Sequence, residues 1–95
     1  MVDLTVVLTA KDVNTLPALR EMVVTQVTLS RQEPGCVRFL AFESETAPGT
    51  FFLVERWESQ EALDNHRKAH AVTTLYIPKI LPLVDRVAHV CVPIA

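Results

Sequence analysis

A chain of 95 residues is the length of one domain, and we expect a single domain over residues 1–95. Hydrophobic residues make up 49% of the chain, more than a small monomer easily buries, so a second copy of the chain is an expected partner. The formal net charge of −2 and the lack of any run of Lys or Arg argue against nucleic acid and against an anionic membrane as partners.

The sequence shows no sign of targeting or export. Residues 1–8 have no basic region, and Asp3 and Thr5 interrupt their apolar run, so we expect no signal peptide. No stretch is long and charge-free enough to span a membrane. Cys36 and Cys91 match no metal or redox spacing, and we interpret them as small buried strand residues in a reducing, cytoplasmic compartment.

The first two predicted elements are a strand and a helix. Every second side chain from Val2 to Leu8 is apolar, which predicts a strand over residues 2–9. Asn14 and Thr15 are candidate N-caps, and Pro17 suits a first helical turn. Apolar residues then recur at spacings of three and four, so a helix is expected to about residue 31.

A hairpin and a second helix follow. Glu33-Pro34-Gly35 ends the first helix, and β-branched and aromatic residues predict strands over 36–43 and 50–57. The turn residues Ala47-Pro48-Gly49 between them indicate an antiparallel hairpin. Ser59 is the expected N-cap of a helix that runs from residue 60 to about residue 69.

The last part of the chain completes a βαββαβ order. Pro78 and Pro82 predict short helical turns, and alternation over residues 84–92 predicts a fourth strand. This order is the ferredoxin-like α+β fold, with two helices on one face of a four-stranded antiparallel sheet. The other face carries apolar side chains with no helix left to cover them, so two such faces could pack together in a dimer.

Four groups of residues resemble the central signature of antibiotic biosynthesis monooxygenase domains. They are Glu33-Pro34-Gly35-Cys36, Arg38-Phe39, Phe51-x-Leu53-x-Glu55-Arg56-Trp57-Glu58 and Glu61-Ala62-Leu63-x-x-His66. The resemblance extends from about Leu4 to Val90. It implies a ferredoxin-like dimer, a dimeric α+β barrel, with a ligand pocket between the sheet and the helices of each subunit. Similar domains include cofactor-free quinol and polyketide monooxygenases, haem-degrading enzymes and an isomerase of a phosphorylated quorum-sensing signal.

His66 is the expected catalytic residue. It lies on the apolar face of the second helix, its position matches a histidine common in the family, and an imidazole exchanges protons near neutral pH. The alternative is a core histidine with a satisfied hydrogen bond. His70, one turn later, is a candidate substrate contact and forms an HxxxH pair with His66, but no third ligand has a telling spacing, so we expect no metal. Its alternative is a partly exposed histidine at a helix end.

Four further residues are candidate substrate contacts. Trp57 could stack on a flat substrate or simply fill the core. Glu55 shares its strand face and needs a partner if buried: a histidine, an arginine or the dimer mate. Its alternative is a structural pair at the subunit interface. Arg38 could stabilise an anionic substrate; its alternatives are an exposed arginine at a strand edge or a structural ion pair. Tyr76 could close the mouth of the pocket or serve as ordinary packing. Asp85, Arg86 and His89 are expected to be solvated or edge-strand residues without a role.

These parts suit a reaction without a cofactor. An electron-rich anion can pass an electron directly to O2 if the protein supplies a base, a cavity that excludes water and a positive group, here His66, the apolar faces and Arg38. The leading hypothesis is thus a cofactor-independent monooxygenase of a small phenolic, quinol or polyketide-like compound. An isomerase of a small (phospho)carbonyl metabolite and a non-catalytic binding module remain alternatives. Haem cleavage is disfavoured because the first strand lacks the asparagine, and the second helix the tryptophan, of haem-degrading members; no cation cluster for a phosphate is evident.

Overall fold

Four antiparallel strands form the sheet of this protein, and the computed structural model describes all residues 1–95. The strands are β1 (Val2–Ala10), β2 (Cys36–Glu43), β3 (Thr50–Trp57) and β4 (Val84–Cys91). They lie in the order β2-β3-β1-β4, which confirms the predicted ferredoxin-like topology. Two α-helices, α1 (Leu16–Ser30) and α2 (Gln60–Lys68), follow β1 and β3 and cover one face. No helix is long and apolar enough to cross a membrane.

β1 forms the centre of the sheet because it pairs with β3 on one side and β4 on the other. Its side chains at Leu4, Val6 and Leu8 are buried under the helices, as the alternation predicted. The predicted apolar positions of α1, from Leu16 to Val27, are also buried. The core of the domain therefore lies between one face of the sheet and α1, with α2 at the end near β3.

Thr15, one of the two predicted candidates, occupies the N-cap position of α1, but the capping hydrogen bond differs from the prediction. Neither Asn14 nor Thr15 caps the helix with its side chain; instead Asp12 Oδ1 accepts the backbone N–H of Asn14 at 2.9 Å. This bond caps a short 3₁₀ turn, Val13–Thr15, that leads directly into α1. Pro17 lies in the first turn of the helix, where its missing N–H costs nothing.

Gly35 makes the connection from α1 to β2 possible. Its φ of +82° is in the left-handed region, and a Cβ at this position would lie 2.5 Å from the Cβ of Ala62 on α2. Its carbonyl accepts the backbone N–H of Glu58 at 2.8 Å. The loop thus passes closely against the start of α2 and carries Glu33 with it.

The chain after α2 differs most from the expectation. Ser59 caps α2 as predicted, its Oγ accepting the N–H of Ala62 at 3.1 Å, but the helix ends at Lys68 because Ala69 is extended. A nine-residue π-helical segment, Val72–Ile80, and a 3₁₀ turn, Leu81–Leu83, replace the predicted isolated turns. The π-helical segment continues through Pro78, and the core buries both of its ends, Val72 and Ile80.

The second face of the sheet has no helical cover. The register places Phe42, Phe52, Val7 and Val87 in one row across all four strands, and Phe42 is 55% exposed. We call this surface the open face. Cys91 lies at its edge on β4 and is exposed, which corrects the expectation of a buried thiol, because β4 is an edge strand with nothing packed over it. Cys36 is partly buried, and both cysteines are free.

Candidate functional site

A small cavity lies between the covered face of the sheet, both helices and the π-helical segment. Its volume is about 50 Å³, and it is partly open to solvent. Apolar side chains from β1, β2, β3 and α2 form much of its wall. Six other side chains also line it: Gln26, Glu55, His66, Arg67, Tyr76 and Arg86. A concave apolar wall with a few converging polar groups is typical of small-molecule sites.

His66 lies at this cavity with a carboxylate on either side. Its Nδ1 is 2.5 Å from Oε1 of Glu33, and its Nε2 is 3.9 Å from Oε1 of Glu55. The ring is only 8% exposed and packs on Trp57 with ring centroids 4.4 Å apart. Because an ionised carboxylate only accepts hydrogen bonds, Glu33 orients Nδ1–H and leaves Nε2 as the acceptor on the other side of the ring.

Glu33 was missed as a site residue. Glu33-Pro34-Gly35 was expected to end the first helix and to belong to the family signature, but no role was expected for the Glu33 side chain, which this loop brings to His66. The sequence did contain a signal for this contact: Glu33 lies in a tight turn, and that turn must pass the helix that carries His66. A second recess, which also borders His66, is lined by Glu33, Pro34, Asn65 and Ala69.

Glu55 is buried next to His66 on β3. The Trp57 indole N–H donates to its Oε1 at 3.0 Å, so the partners are the indole and the nearby histidine. Burial raises the pKa of the Glu55 carboxyl, while the Trp57 hydrogen bond and the positive groups around it act in the opposite direction. Glu55 is therefore a carboxyl group whose protonated form is favoured by its surroundings.

Tyr76 and Arg86 form the polar rim of the cavity. Arg86 Nε donates to the Tyr76 hydroxyl at 2.9 Å, and burial raises the pKa of that hydroxyl despite the neighbouring guanidinium. Arg86 was expected to be a solvated or edge-strand residue without a role. It is exposed and lies on the edge strand β4, but the β1–β4 register places it beside Leu8 on the covered face of the sheet, where it lines the cavity. With the exposed Arg67 of α2 it supplies the cationic groups of the cavity.

Three predicted site residues lie away from the cavity wall. Arg38 is exposed and pairs in register with Arg56, which alternates with Glu55, so Arg38 lies on the open face. His70 is exposed because the extended Ala69 breaks the i, i+4 relation to His66. Trp57 is fully buried behind His66 and supports the ring without lining the cavity.

The residues at the cavity do not resemble a metal site. His66 is the one histidine that lines the cavity. No group of three His, Cys, Asp or Glu side chains has the geometry to hold a metal ion. The arrangement can instead bind a small molecule, take a proton from it at His66 and steady a negative charge with the Tyr76 hydroxyl and two arginines.

The chain is similar to known proteins in sequence and in fold. Residues 16–75 match the sequence model of the family "Antibiotic biosynthesis monooxygenase". A crystal structure of an antibiotic biosynthesis monooxygenase superposes with a TM-score of 0.91 at 23% identity, over 100% of both chains. A candidate member of that family from Deinococcus radiodurans gives 0.80 at 28% identity, over 94% of this chain and 90% of that one. Rv0793 from Mycobacterium tuberculosis gives 0.86 at 25% identity, over 100% and 97%.

One curated relative matches in part. It is the uncharacterized protein sll1783 from Synechocystis sp. (strain ATCC 27184 / PCC 6803 / Kazusa), with 40% identity over 42 residues. The match spans 44% of this chain and 29% of that protein's length.

Proposed function

Since the chain belongs to the antibiotic biosynthesis monooxygenase family, we propose that it is a cofactor-independent monooxygenase that oxidises a small phenolic, quinol or polyketide-like compound with O2. One observation carries the proposal: His66, oriented by Glu33, lies at the wall of a cavity that is apolar on one side and cationic at its rim. In this reaction the substrate supplies all four electrons. One oxygen atom enters the product and the other leaves as water with two substrate hydrogens.

The first step is proton transfer to His66. Glu33 holds Nδ1–H, so Nε2 is free to take the proton of a substrate hydroxyl or acidic C–H, and the nearby Glu33 charge stabilises the imidazolium that forms. The substrate anion that remains is electron-rich enough to reduce O2. This role of Glu33 resembles that of a carboxylate in any histidine dyad: it orients the base and does not touch the substrate.

The anion is stabilised at the rim. The Tyr76 hydroxyl, kept protonated by burial, and the Arg67 and Arg86 guanidinium groups are the positive and dipolar groups of the cavity. These groups would stabilise the substrate anion, the role that was expected of Arg38. Arg67 and Arg86 are exposed, whereas the apolar wall is buried, so the substrate enters between the arginines.

Without a ligand, the cavity is too small to hold an aromatic ring. The volume of about 50 Å³ is well below the roughly 300–1,000 Å³ of pockets that hold small molecules. An aromatic ring therefore needs Tyr76 or Arg86 to move outward as it binds. The Arg86–Tyr76 hydrogen bond at the rim is the contact that would open.

Oxygen consumption tests the proposal. We expect the purified protein to consume O2 with at least one member of a panel of quinols and hydroxyanthrones, with one ¹⁸O atom from ¹⁸O2 in the product. Substrate binding without oxygen uptake or turnover across the panel would refute the monooxygenase and favour a binding module.

A second candidate function is favoured by the pair of arginines. Arg67 and Arg86 line the same cavity as His66, which suits an anionic (phospho)carbonyl compound better than the sequence indicated. His66 would then move a proton next to the carbonyl. Turnover of such a compound at the same rate under nitrogen would favour this isomerase.

The setting of the activity is also part of the proposal. The apolar side chains of the open face, with Phe42 55% exposed, support a homodimer built sheet to sheet. Two free cysteines support a reducing, cytoplasmic location. A near-neutral charge supports a small-molecule partner over nucleic acid or a membrane.

A further inference from the structure

Gln26 is a buried polar side chain with one unused hydrogen-bonding atom at the cavity. It lies on α1, is 2% exposed, and lines the same cavity as His66 and Glu55. Its Nε2 donates to Ser30 Oγ at 3.2 Å, but its Oε1 has no hydrogen-bond partner in the protein. Nothing in the proposed chemistry uses this residue.

The position of Gln26 is costly unless something binds there. Its neighbours along the inward face of α1, Val23 and Val27, are apolar and buried. An apolar residue at position 26 would continue that face, whereas a buried acceptor without a partner destabilises the fold. The amide thus interrupts the apolar wall of the cavity at one point.

We infer that Gln26 recognises a hydroxyl group of the ligand, distinct from the group that loses its proton to His66. The inference rests on the proposed function only for the aromatic character of the ligand. It makes Gln26 a specificity-determining residue and makes the preferred ligand a ring with at least two polar substituents, one of them a hydroxyl that binds at the buried end.

The choice of a hydroxyl follows from the geometry of the amide. Rotating the amide by 180° exchanges Oε1 and Nε2, and Ser30 Oγ can either accept or donate. In either orientation one amide atom remains without a partner. A hydroxyl satisfies both cases because it donates to Oε1 or accepts from Nε2. The rim, in contrast, carries Arg67 and Arg86, so an acceptor or anionic group faces outward.

A matched pair of ligands isolates the interaction. Hydroquinone and p-cresol have the same shape and differ by one hydroxyl in place of a methyl group. Their dissociation constants are measured under nitrogen by NMR titration of the ¹⁵N-labelled protein, so no oxidation occurs. We expect the parent protein to prefer hydroquinone about five- to ten-fold, as one net hydrogen bond implies.

Substitutions at Gln26 test whether this residue is the source of the preference. Gln26→Leu keeps similar volume without hydrogen-bonding atoms, and Gln26→Met keeps it with only a weakly accepting sulfur. Both should remove the preference, with an unchanged or higher melting temperature. Gln32→Met makes the same chemical change at an exposed position of the following loop and should retain it.

The proposal is overturned by equal affinities in the parent protein, by undetectable hydroquinone binding, or by a preference that survives both Gln26 variants. If Gln26→Met and Gln26→Leu fail to fold, Gln26→Glu, whose carboxylate accepts but does not donate, replaces them; an unchanged preference in that variant overturns the proposal. The binding measurements contain no O2, so they do not depend on the monooxygenase reaction. A failure of the monooxygenase proposal would appear only in the oxygen-uptake assay and would not change the measured preference for hydroquinone.

Discussion

Replacing His66 by glutamine is the most direct perturbation of the site. Glutamine keeps a polar side chain of similar reach that can still donate to Glu33, whose Oε1 lies 2.5 Å from Nδ1 in the parent. It cannot take up a proton at neutral pH. We therefore expect a folded protein that binds substrate and turns it over slowly.

The expected size of the loss follows from the role of the residue. A positioned general base contributes about 10²–10⁴-fold to rate, equivalent to about 3–5 kcal/mol of transition-state stabilisation. We expect a loss near the upper end, because His66 is 8% exposed and bulk water has little access to replace it as the base. The alternative, a structural histidine, predicts the opposite: lost packing on Trp57, lower stability and parental activity of the folded fraction.

The assay is initial oxygen uptake with the best substrate of the panel, measured beside a thermal melt. His70→Gln is the matched control, since His70 is exposed and outside the cavity; it should keep the parental rate. If His66→Gln shows an unchanged melting temperature and the parental rate, His66 is not the base. Glu55, the other proton-exchanging group of the cavity, would then be the candidate.

Four further predictions concern the stability of the fold, the oligomeric state and bound cofactors. Burial raises the pKa of Glu55, so the folded protein holds this proton more tightly than the unfolded chain, and stability falls as pH rises from the usual carboxyl range through the raised value. Glu55→Gln should thus melt higher than the parent at about pH 8 and similarly at about pH 4; a lower melting temperature at the higher pH would contradict this. Gly35→Ala should lower the free energy of unfolding by about 1–3 kcal/mol in urea titrations, more than Gly49→Ala, because only at Gly35 does the new Cβ meet a helix at 2.5 Å. Sedimentation should show a dimer at micromolar concentration, with an interface on the order of 2,000 Å², and a stable monomer would be the contrary result. Elemental analysis and an absorption spectrum should show no stoichiometric metal, flavin or haem, and either a bound metal or visible bands would overturn that expectation.

Local patterns determined the elements of the fold. Alternation along β1 and β3 and the three-four spacing of α1 predicted strands and a helix to within one or two residues, because burial on one side imposes its period on the sequence. The same order of elements restricted the topology to the ferredoxin-like arrangement. For the site, the apolar face of the second helix and the family resemblance were sufficient to single out His66. Alternation along β3 placed Glu55 and Trp57 on one face of that strand.

The tertiary structure decided which charged residues join His66. Both faces of β2 are comparably apolar in sequence, so only the packing of the helices shows that Phe39 faces inward and Arg38 outward. Arg86 enters the cavity through the β1–β4 register, a contact between strands far apart in the chain. Glu33 is 33 residues from His66 and reaches it because Gly35 lets its loop pass α2. His70 leaves the site because a single extended residue, Ala69, ends the helix. Periodicity describes one element at a time, whereas each of these placements depends on how two elements meet.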